Sequence, residues 1–443
     1  MCHSSRQGKT LPLALSTDRK TECQELLRSI IEDPHTDEEL LFAEDFLGRK
    51  FGDKKVGFLT EALRNAEKIF IDEGFFRHPE IGSVEWFRQK GTQAFISENY
   101  LWNTLFGLLF WQELFESPDS CFHNQFDYTP FDLVGEEFFK NHSAAIENKL
   151  QLLHDREALG KYLEDLIQKR PELTNSFFKF YPDTLALVET YLDHADPNAT
   201  GLVLKAMACD FHKRSSGFPD LMILENGLPK FIEIKAPGDS LRKNQMAQMM
   251  LLKKAGFEVA VLKVEYNANP DQSYVVVDIE TTGLSPVYNR ITELGAVKIK
   301  KGVVVETFQR LINPKQAIPA RIQILTGITN AMVESAPSFL EVAEAFSNFT
   351  KDSIFVAHNV KFDYGFIQAE FQKLELPYVR PYMCTSAGMK KHYPGLSSYS
   401  LGSLTNHFNI ELKTHHRALC DAEATAQLLL LINESRRLRI AQN

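Results

Sequence analysis

The chain has 443 residues, is 44% hydrophobic and 24% charged, and carries a net charge of −9. That length has room for about two to three domains with full cores, in the composition range of ordinary globular proteins. The acidic balance excludes a globally polybasic binder, though not a local phosphate-binding patch. The six cysteines (Cys2, Cys23, Cys121, Cys209, Cys384, Cys420) are scattered with no CxxC pair. They read as reduced thiols rather than a disulfide frame or a zinc site. No signal-peptide pattern opens the sequence, and the most apolar run, Tyr100–Trp111, falls short of the ~20 residues of a membrane span. The expectation is a soluble intracellular protein with no membrane partner, cytoplasmic or nucleoid-associated, or nuclear if eukaryotic.

Residues 1–20 read as a flexible tail. Residues 21–95 read as helical. Cys23, Leu26, Leu27, Ile30 and Ile31 recur at helical spacing, as do Leu40, Leu41, Ala43, Phe46 and Leu47, and glycines break the run. This predicts paired, repeat-like helices. Glu98 precedes a helix that is apolar nearly all round, from Tyr100 to Trp111, and such a helix should cross a core. A carboxylate at its entry is either a partner of the helix dipole or a site residue. Phe115–Leu152 is rich in Phe and turn residues, and Leu153–Leu204 is mostly helical.

Gly217–Leu224 reads as a turn entering a strand. Asn226-Gly227 is a two-residue hairpin turn, and Phe231–Lys235 is the returning strand. Asp220 thus starts one strand, while Glu233 and Lys235 project from one face of its partner. Asp220 and Glu233 can share a metal, and Lys235 can stabilise a phosphate or orient an activated water. The plainer alternative is a surface hairpin with an ion pair. Arg242, Lys243 and Gln245 then open a helix whose N-terminus can receive a phosphate. Phe257–Leu262 is a further core strand, and 267–273 is a short polar linker.

Tyr274–Val277 reads as a buried strand ending on Asp278-Ile279-Glu280. With one residue between them, both carboxylates leave the same face. Two adjacent acids at the end of a core strand favour a divalent cation, and oxygen-only ligands favour Mg²⁺ or Mn²⁺. Strands Arg290–Lys300 and Val303–Ile312 alternate well enough to pair with it. Ala336–Phe349 is an amphipathic helix, and Ile354–Ala357 is a strand. His358-Asn359-Val360-Lys361-Phe362-Asp363 follows, with Asp363 just inside a helix. His416 and Asp421 open a final helix running to about Arg437. Taken singly, each of these histidines and acids is more often a capping, packing or solvated group.

Two resemblances change that balance. Residues 96–266 resemble the virus-type replication-repair nuclease (VRR-NUC) domain of the PD-(D/E)xK superfamily, and most of all the Fanconi-associated nuclease. The likeness lies in LFGLLFW at Leu105–Trp111, GFPDL at Gly217–Leu221, EIKAPGDSL at Glu233–Leu241 and Gln245. It implies a metal set of Glu98, Asp220, Glu233 and Ile234 holding one or two ions. It also implies catalysis with Lys235, substrate contacts from Arg242, Lys243 and Gln245, and cleavage near 5′ flaps or 5′ ends. The segment before residue 95 resembles part of that family's helical repeats.

Residues 274–436 resemble the histidine subtype of the DEDD exonucleases (DEDDh), as in bacterial proofreading subunits and ribonuclease T. The likeness lies in DxE, HNxxFD and HxxxxD occurring in that order. It implies that Asp278, Glu280, Asp363 and Asp421 hold two divalent ions and that His416 takes the proton of the attacking water. Thr281, Thr282, Leu284 and Phe362 would contact the terminal nucleotide, and His358 would be structural. The implied fold is α/β and multidomain: a helical N-terminal region, a restriction-endonuclease-like core, and a ribonuclease H-like exonuclease domain with a mixed sheet. The tail begins at 437. The implied partner is DNA with single-stranded ends, flaps or branches, with RNA open for the exonuclease and protein partners unknown. The alternative is a lone 3′–5′ exonuclease whose VRR-NUC domain only binds nucleic acid.

Overall fold

The computed structural model describes residues 20–32, 37–52, 58–117, 129–133, 135–169, 175, 177, 182–269, 271–412 and 416–441. Most of the expected tails, together with Cys2 and Cys121, lies outside them. The chain divides into two compact units. One comprises the described residues of Met1–Ile69 with Ser83–Glu265, and the other Phe70–Gly82 with those of Tyr266–Asn443. No helix among the described residues is long and apolar enough to cross a membrane.

The first unit begins with two helices, Lys20–Glu32 and Asp37–Phe51, which pack through Cys23, Leu27, Ile30, Ala43 and Leu47. Helical pairing was expected there, but it does not continue to residue 95. Glu67–Asp72 is a strand, β1, which begins in this unit and ends in the Phe70–Gly82 segment of the other; Ile69 and Ile71 are buried and Phe70 is exposed. An alternation of period two outweighs the helical flanks. Ala94–Ile96 is a second strand, β2. The remaining strands are β3 (Leu221–Glu225), β4 (Leu228–Lys235) and β5 (Glu258–Asn267), giving the sheet order β1-β5-β4-β3-β2. β3 and β4 form the expected hairpin. Asn226 and Gly227 both have positive φ, which matches the right-handed strand twist. β4 runs parallel to β5.

Helix α1 (Glu98–Leu109) is the expected core helix. Trp102 is fully buried and packs on Phe218, Phe231, Phe257 and Tyr191. Phe115–Leu152, read only as Phe-rich and turn-rich, holds the helix Glu137–Gln151. Helix α2 (Lys243–Ala255) follows the hairpin.

The second unit is built on β6 (Tyr274–Thr281), β7 (Ile291–Lys300), β8 (Val303–Leu311), β9 (Ile354–Ala357) and β10 (Tyr382–Cys384), in the order β10-β9-β6-β7-β8. The β6–β7–β8 meander is antiparallel, and β9 and β10 add in parallel, so the sheet is mixed. Val275, Val277 and Ile279 face a core shared with Phe346, Phe366 and Phe371. Helices α3 (Val360–Lys373) and α4 (Ala418–Ala441) carry the later motifs. The stretch read as a linker is anchored within this unit. Asn269 donates its backbone N–H to Asp72, Gln272 is buried, and the Ser273 and Ser353 hydroxyls are hydrogen-bonded.

Candidate metal centres

In the second unit the acids come from three elements. Asp278 and Glu280 leave one face of β6 while Ile279, between them, enters the core. Asp363, in the first turn of α3, is buried. Asp421 lies in the first turn of α4, and its Oδ2 accepts the backbone N–H of His416 at 3.1 Å. His416 is held at φ 62°, a left-handed conformation that turns the chain into the helix.

Among the described residues, only one trio of potential ligands has atoms all within 4.8 Å of one another, and it is Glu280, His416 and Asp421. Asp278 and Asp363 are electrostatically joined to it. Burial pushes the Asp278 carboxyl well above its ordinary range, and Asp363, Asp421 and Glu280 push it further. Burial and then Asp421 raise Glu280 to about 8, and burial raises Asp363 to about 7. Crowded acids that resist ionisation are the donor chemistry a divalent cation relieves. The residue set fits such an ion.

A residue missed in the sequence explains how α4 is placed. Glu293, on β7 opposite Glu280, is fully buried. It accepts from Arg417 Nε at 3.0 Å and Nη2 at 2.7 Å, from the Ala418 backbone N–H at 3.1 Å, and from Gln309. Burial alone would raise its carboxyl, but these bonds outweigh burial and hold it below its ordinary value. Its signal was an acid inside the apolar run Ile291–Val297.

The loop after Glu280 is tightly tied. The Thr281 hydroxyl donates to the Gly283 carbonyl at 2.6 Å, and the Thr282 hydroxyl accepts from the Arg290 N–H and from Gln316. Both threonines are buried, so their hydroxyls shape the loop, whereas Leu284 stands 77% exposed. Phe362 is half-buried against Phe366. Both His358 ring nitrogens are engaged, by Thr385 and by the Tyr399 carbonyl, as a structural histidine's would be.

In the first unit, Asp220 precedes β3 and Glu233 and Lys235 lie on β4. Asp220 Oδ2 accepts the Ile234 N–H at 2.7 Å, and its backbone carbonyl accepts the N–H groups of Ser97 and Glu98. Glu98, at the start of α1, is exposed and held at φ 28°, an unfavourable backbone for a residue with a side chain. Glu233 is fully buried. Its Oε1 meets Lys235 Nζ at 3.0 Å and Gln245 Nε2 at 2.6 Å, while its Oε2 has no hydrogen-bond partner among the described residues. Burial, then Asp220, with Glu98 adding, raises Glu233 to about 8 against the pull of Lys235. An orphaned buried carboxylate oxygen beside further acids fits a cation.

Gln245 bridges the hairpin to α2, because its Oε1 also accepts from Lys235 Nζ and the Arg242 N–H. Arg242 and Lys243 are exposed at that helix N-terminus. Gly217 makes the approach possible: it has φ 90°, and a Cβ there would lie 2.6 Å from the Asn244 carbonyl carbon.

A family model described as VRR-NUC domain matches residues 144–266, and one described as Exonuclease matches residues 275–429. The chain joins a VRR-NUC domain to an exonuclease domain. Asp220, Glu233, Ile234, Lys235 and Gln245 lie in the first match, and the five DEDDh positions lie in the second. Glu98 lies outside both. Among curated relatives, the DNA polymerase III PolC-type of Halalkalibacterium halodurans is 44% identical over 160 residues, covering 36% of this chain and 11% of that one. The Bacillus subtilis PolC-type protein is 42% identical over 173 residues, 38% and 12% of the two chains. The chain thus spans little more than a tenth of the length of these relatives. Among solved structures, paFAN1 bound to 2nt 5′ flap DNA with gap is 24% identical over 60% of this chain and 50% of that one, with TM-score 0.43. Exonuclease X in complex with 5′ overhanging duplex DNA is 28% identical over 37% and 92%, with TM-score 0.31. The families of both domains are dependent on divalent metals.

Proposed function

We propose that the chain is a bifunctional, metal-dependent nuclease of DNA repair or end processing. The exonuclease domain would release nucleoside 5′-monophosphates from 3′ ends with two Mg²⁺ or Mn²⁺ ions. The VRR-NUC domain would cut near 5′ flaps or 5′ ends with one or two. The carrying observation is the convergence of Asp278, Glu280, Asp363, His416 and Asp421 from β6, α3 and α4 into one electrostatically joined cluster.

In the exonuclease centre Asp278, Glu280, Asp363 and Asp421 would hold the ions. Bound there, the ions would supply charge neutralisation at the phosphate and acidify a coordinated water. His416 accepts the proton of the attacking water. The water oxygen bonds to phosphorus as the bond to the 3′ oxygen of the preceding nucleotide breaks. Leu284, exposed on a tied loop, is available to pack on the terminal base. In the VRR-NUC centre Glu98, Asp220, Glu233 and Ile234 would form the ion site. Lys235, held by Glu233, Ser240 and Gln245, brings positive charge to the phosphate, and Arg242 and Lys243 face its strand at the helix N-terminus.

The test is Mg²⁺-dependent digestion of end-labelled single-stranded, flapped and duplex DNA, and of RNA, by the wild type, Lys235→Ala and Asp278→Ala. Asp278→Ala should abolish 3′ trimming and spare flap cleavage, and Lys235→Ala should do the reverse. One substitution abolishing all cleavage would refute two independent centres. A second reading, with the VRR-NUC domain only binding nucleic acid, draws on the spacing of Glu98, Asp220 and Glu233, which do not form a trio within 4.8 Å. It requires that Asp278→Ala alone abolish all cleavage.

A further inference from the structure

Residues Phe70–Gly82 precede the whole VRR-NUC domain in the chain, yet they pack in the second unit. Their centre is Asp72, which is fully buried. Its Oδ2 accepts from Arg436 Nη2 at 2.9 Å, Tyr274 Oη at 2.9 Å and the Asn269 backbone N–H at 3.1 Å, and its Oδ1 accepts the Gly74 N–H at 2.8 Å. Arg436 and Tyr274 are themselves 3% exposed, and Arg436 also reaches Tyr274 Oη. Around this core Glu73 pairs with Lys391, and Arg77 meets the Tyr382 hydroxyl.

The two partners of Asp72 sit on the elements that hold the acids. Tyr274 begins β6, and Asp278 lies four residues further on, roughly 13 Å along a strand. Arg436 lies on α4, fifteen residues after Asp421, or about 22 Å along a helix and about 60° around it. β6 and α4 pack along each other. At its start α4 is fixed by Glu293 and Arg417, and towards its end by Asp72. A stiff helix held at one end only can pivot; held at both, it cannot.

We propose that Asp72 is a positioning residue of the exonuclease centre, anchoring from a distance the strand that carries Asp278 and Glu280 and the helix that carries Asp421. The proposal rests on the exonuclease reading above for its functional meaning, and its test does not depend on cleavage.

The experiment uses the full chain without nucleic acid. Hydrogen exchange is followed at the amides of residues 418–425, and Mn²⁺ is titrated into the wild type, Asp72→Asn, Tyr274→Phe and the double variant Asp72→Asn with Arg436→Gln. Asp72→Asn should speed exchange at 418–425 by about tenfold and weaken Mn²⁺ binding by about tenfold. The uncharged double variant should recover part of both losses, because it no longer leaves a buried guanidinium without its carboxylate. Tyr274→Phe, which removes one hydroxyl, should act in the same direction if Asp72→Asn fails to fold. Faster exchange confined to residues around 436, with 418–425 and Mn²⁺ affinity unchanged in the folded variants, would overturn the proposal. If these effects appear and the wild type trims no 3′ ends, the functional reading fails and the positioning role stands.

Discussion

Gly295 on β7 faces Asp278 across the β6–β7 ladder, and a Cβ on Gly295 would lie 2.2 Å from the carbonyl carbon of Ala418. The missing side chain is what lets the first turn of α4, and with it Asp421, lie against the strand acids.

Gly295→Ala should therefore push back backbone rather than a flexible side-chain tip. An overpacked site costs about 1–3 kcal/mol, and the displaced Asp421 should lower 3′ trimming by more than tenfold, on the order of the sensitivity of catalysis to ångström misplacement. Thermal melting and trimming of a labelled 3′ end check this. A variant that melts and trims like the wild type would refute the close-approach argument.

Glu293 supplies an acid-side prediction. Its carboxyl lies below its ordinary value of 4.5 when folded. Its contribution is then fully present above the unfolded value and is lost as pH falls through the folded one. Melting temperature should drop on acidification below that range, and Glu293→Gln should flatten the drop. At neutral pH the same substitution should cost about 2 kcal/mol, in the range of charge-assisted hydrogen bonds. An unchanged acid limb in the variant would count against Glu293 as its source.

The candidate metal acids predict the opposite slope. Glu280 and Asp363 are raised to about 8 and about 7 when folded. A carboxyl raised by folding stabilises below its unfolded value and loses that contribution as pH rises towards its folded one. In chelator, then, the second unit should melt progressively lower from about pH 4 to 8. Added Mg²⁺ or Mn²⁺ should raise melting most at the alkaline end, where it competes with fewer protons. A metal-induced rise of equal size at pH 5.5 and pH 8 would argue against this cluster as the binding site.

Gln245→Ala should separate the two centres. The side chain ties Glu233, Lys235 and the start of α2 together. Its loss should reduce flap cleavage by about tenfold or more, as loss of an outer-shell partner does, and leave 3′ trimming unaltered. Paired assays on one preparation would detect an effect on both activities, which would contradict the assignment.

The sequence was most legible where signals are local. Asp278 and Glu280 follow four β-formers, Asn226-Gly227 marks its hairpin, and Asp363 sits just inside a helix with an apolar face. The core helix at Trp102 follows from the same short-range periodicity, whereas the mixed sheet was implied only by the resemblance to the DEDDh exonucleases. β1 was read as helix because six alternating residues lie between helical neighbours. Glu293 and Arg417 escaped notice because neither residue carries a trace of its partner 124 positions away. Thr281 and Thr282 were legible as motif residues, but nothing local foretold that their hydroxyls would be spent on closing the loop.

The Asp72–Arg436 pair joins residues 364 positions apart. During synthesis Asp72 leaves the ribosome with the whole VRR-NUC domain still to be made before Arg436 follows. The exonuclease domain then cannot finish folding until residue 436 has been made, and closure over so long a span is slow. Residues 268–443 made alone would keep Arg436 and Tyr274 but lack the Asp72 carboxylate that both bond. What looks in sequence like two modules in tandem is, to a folding chain, one unit that already needs a segment made before the other.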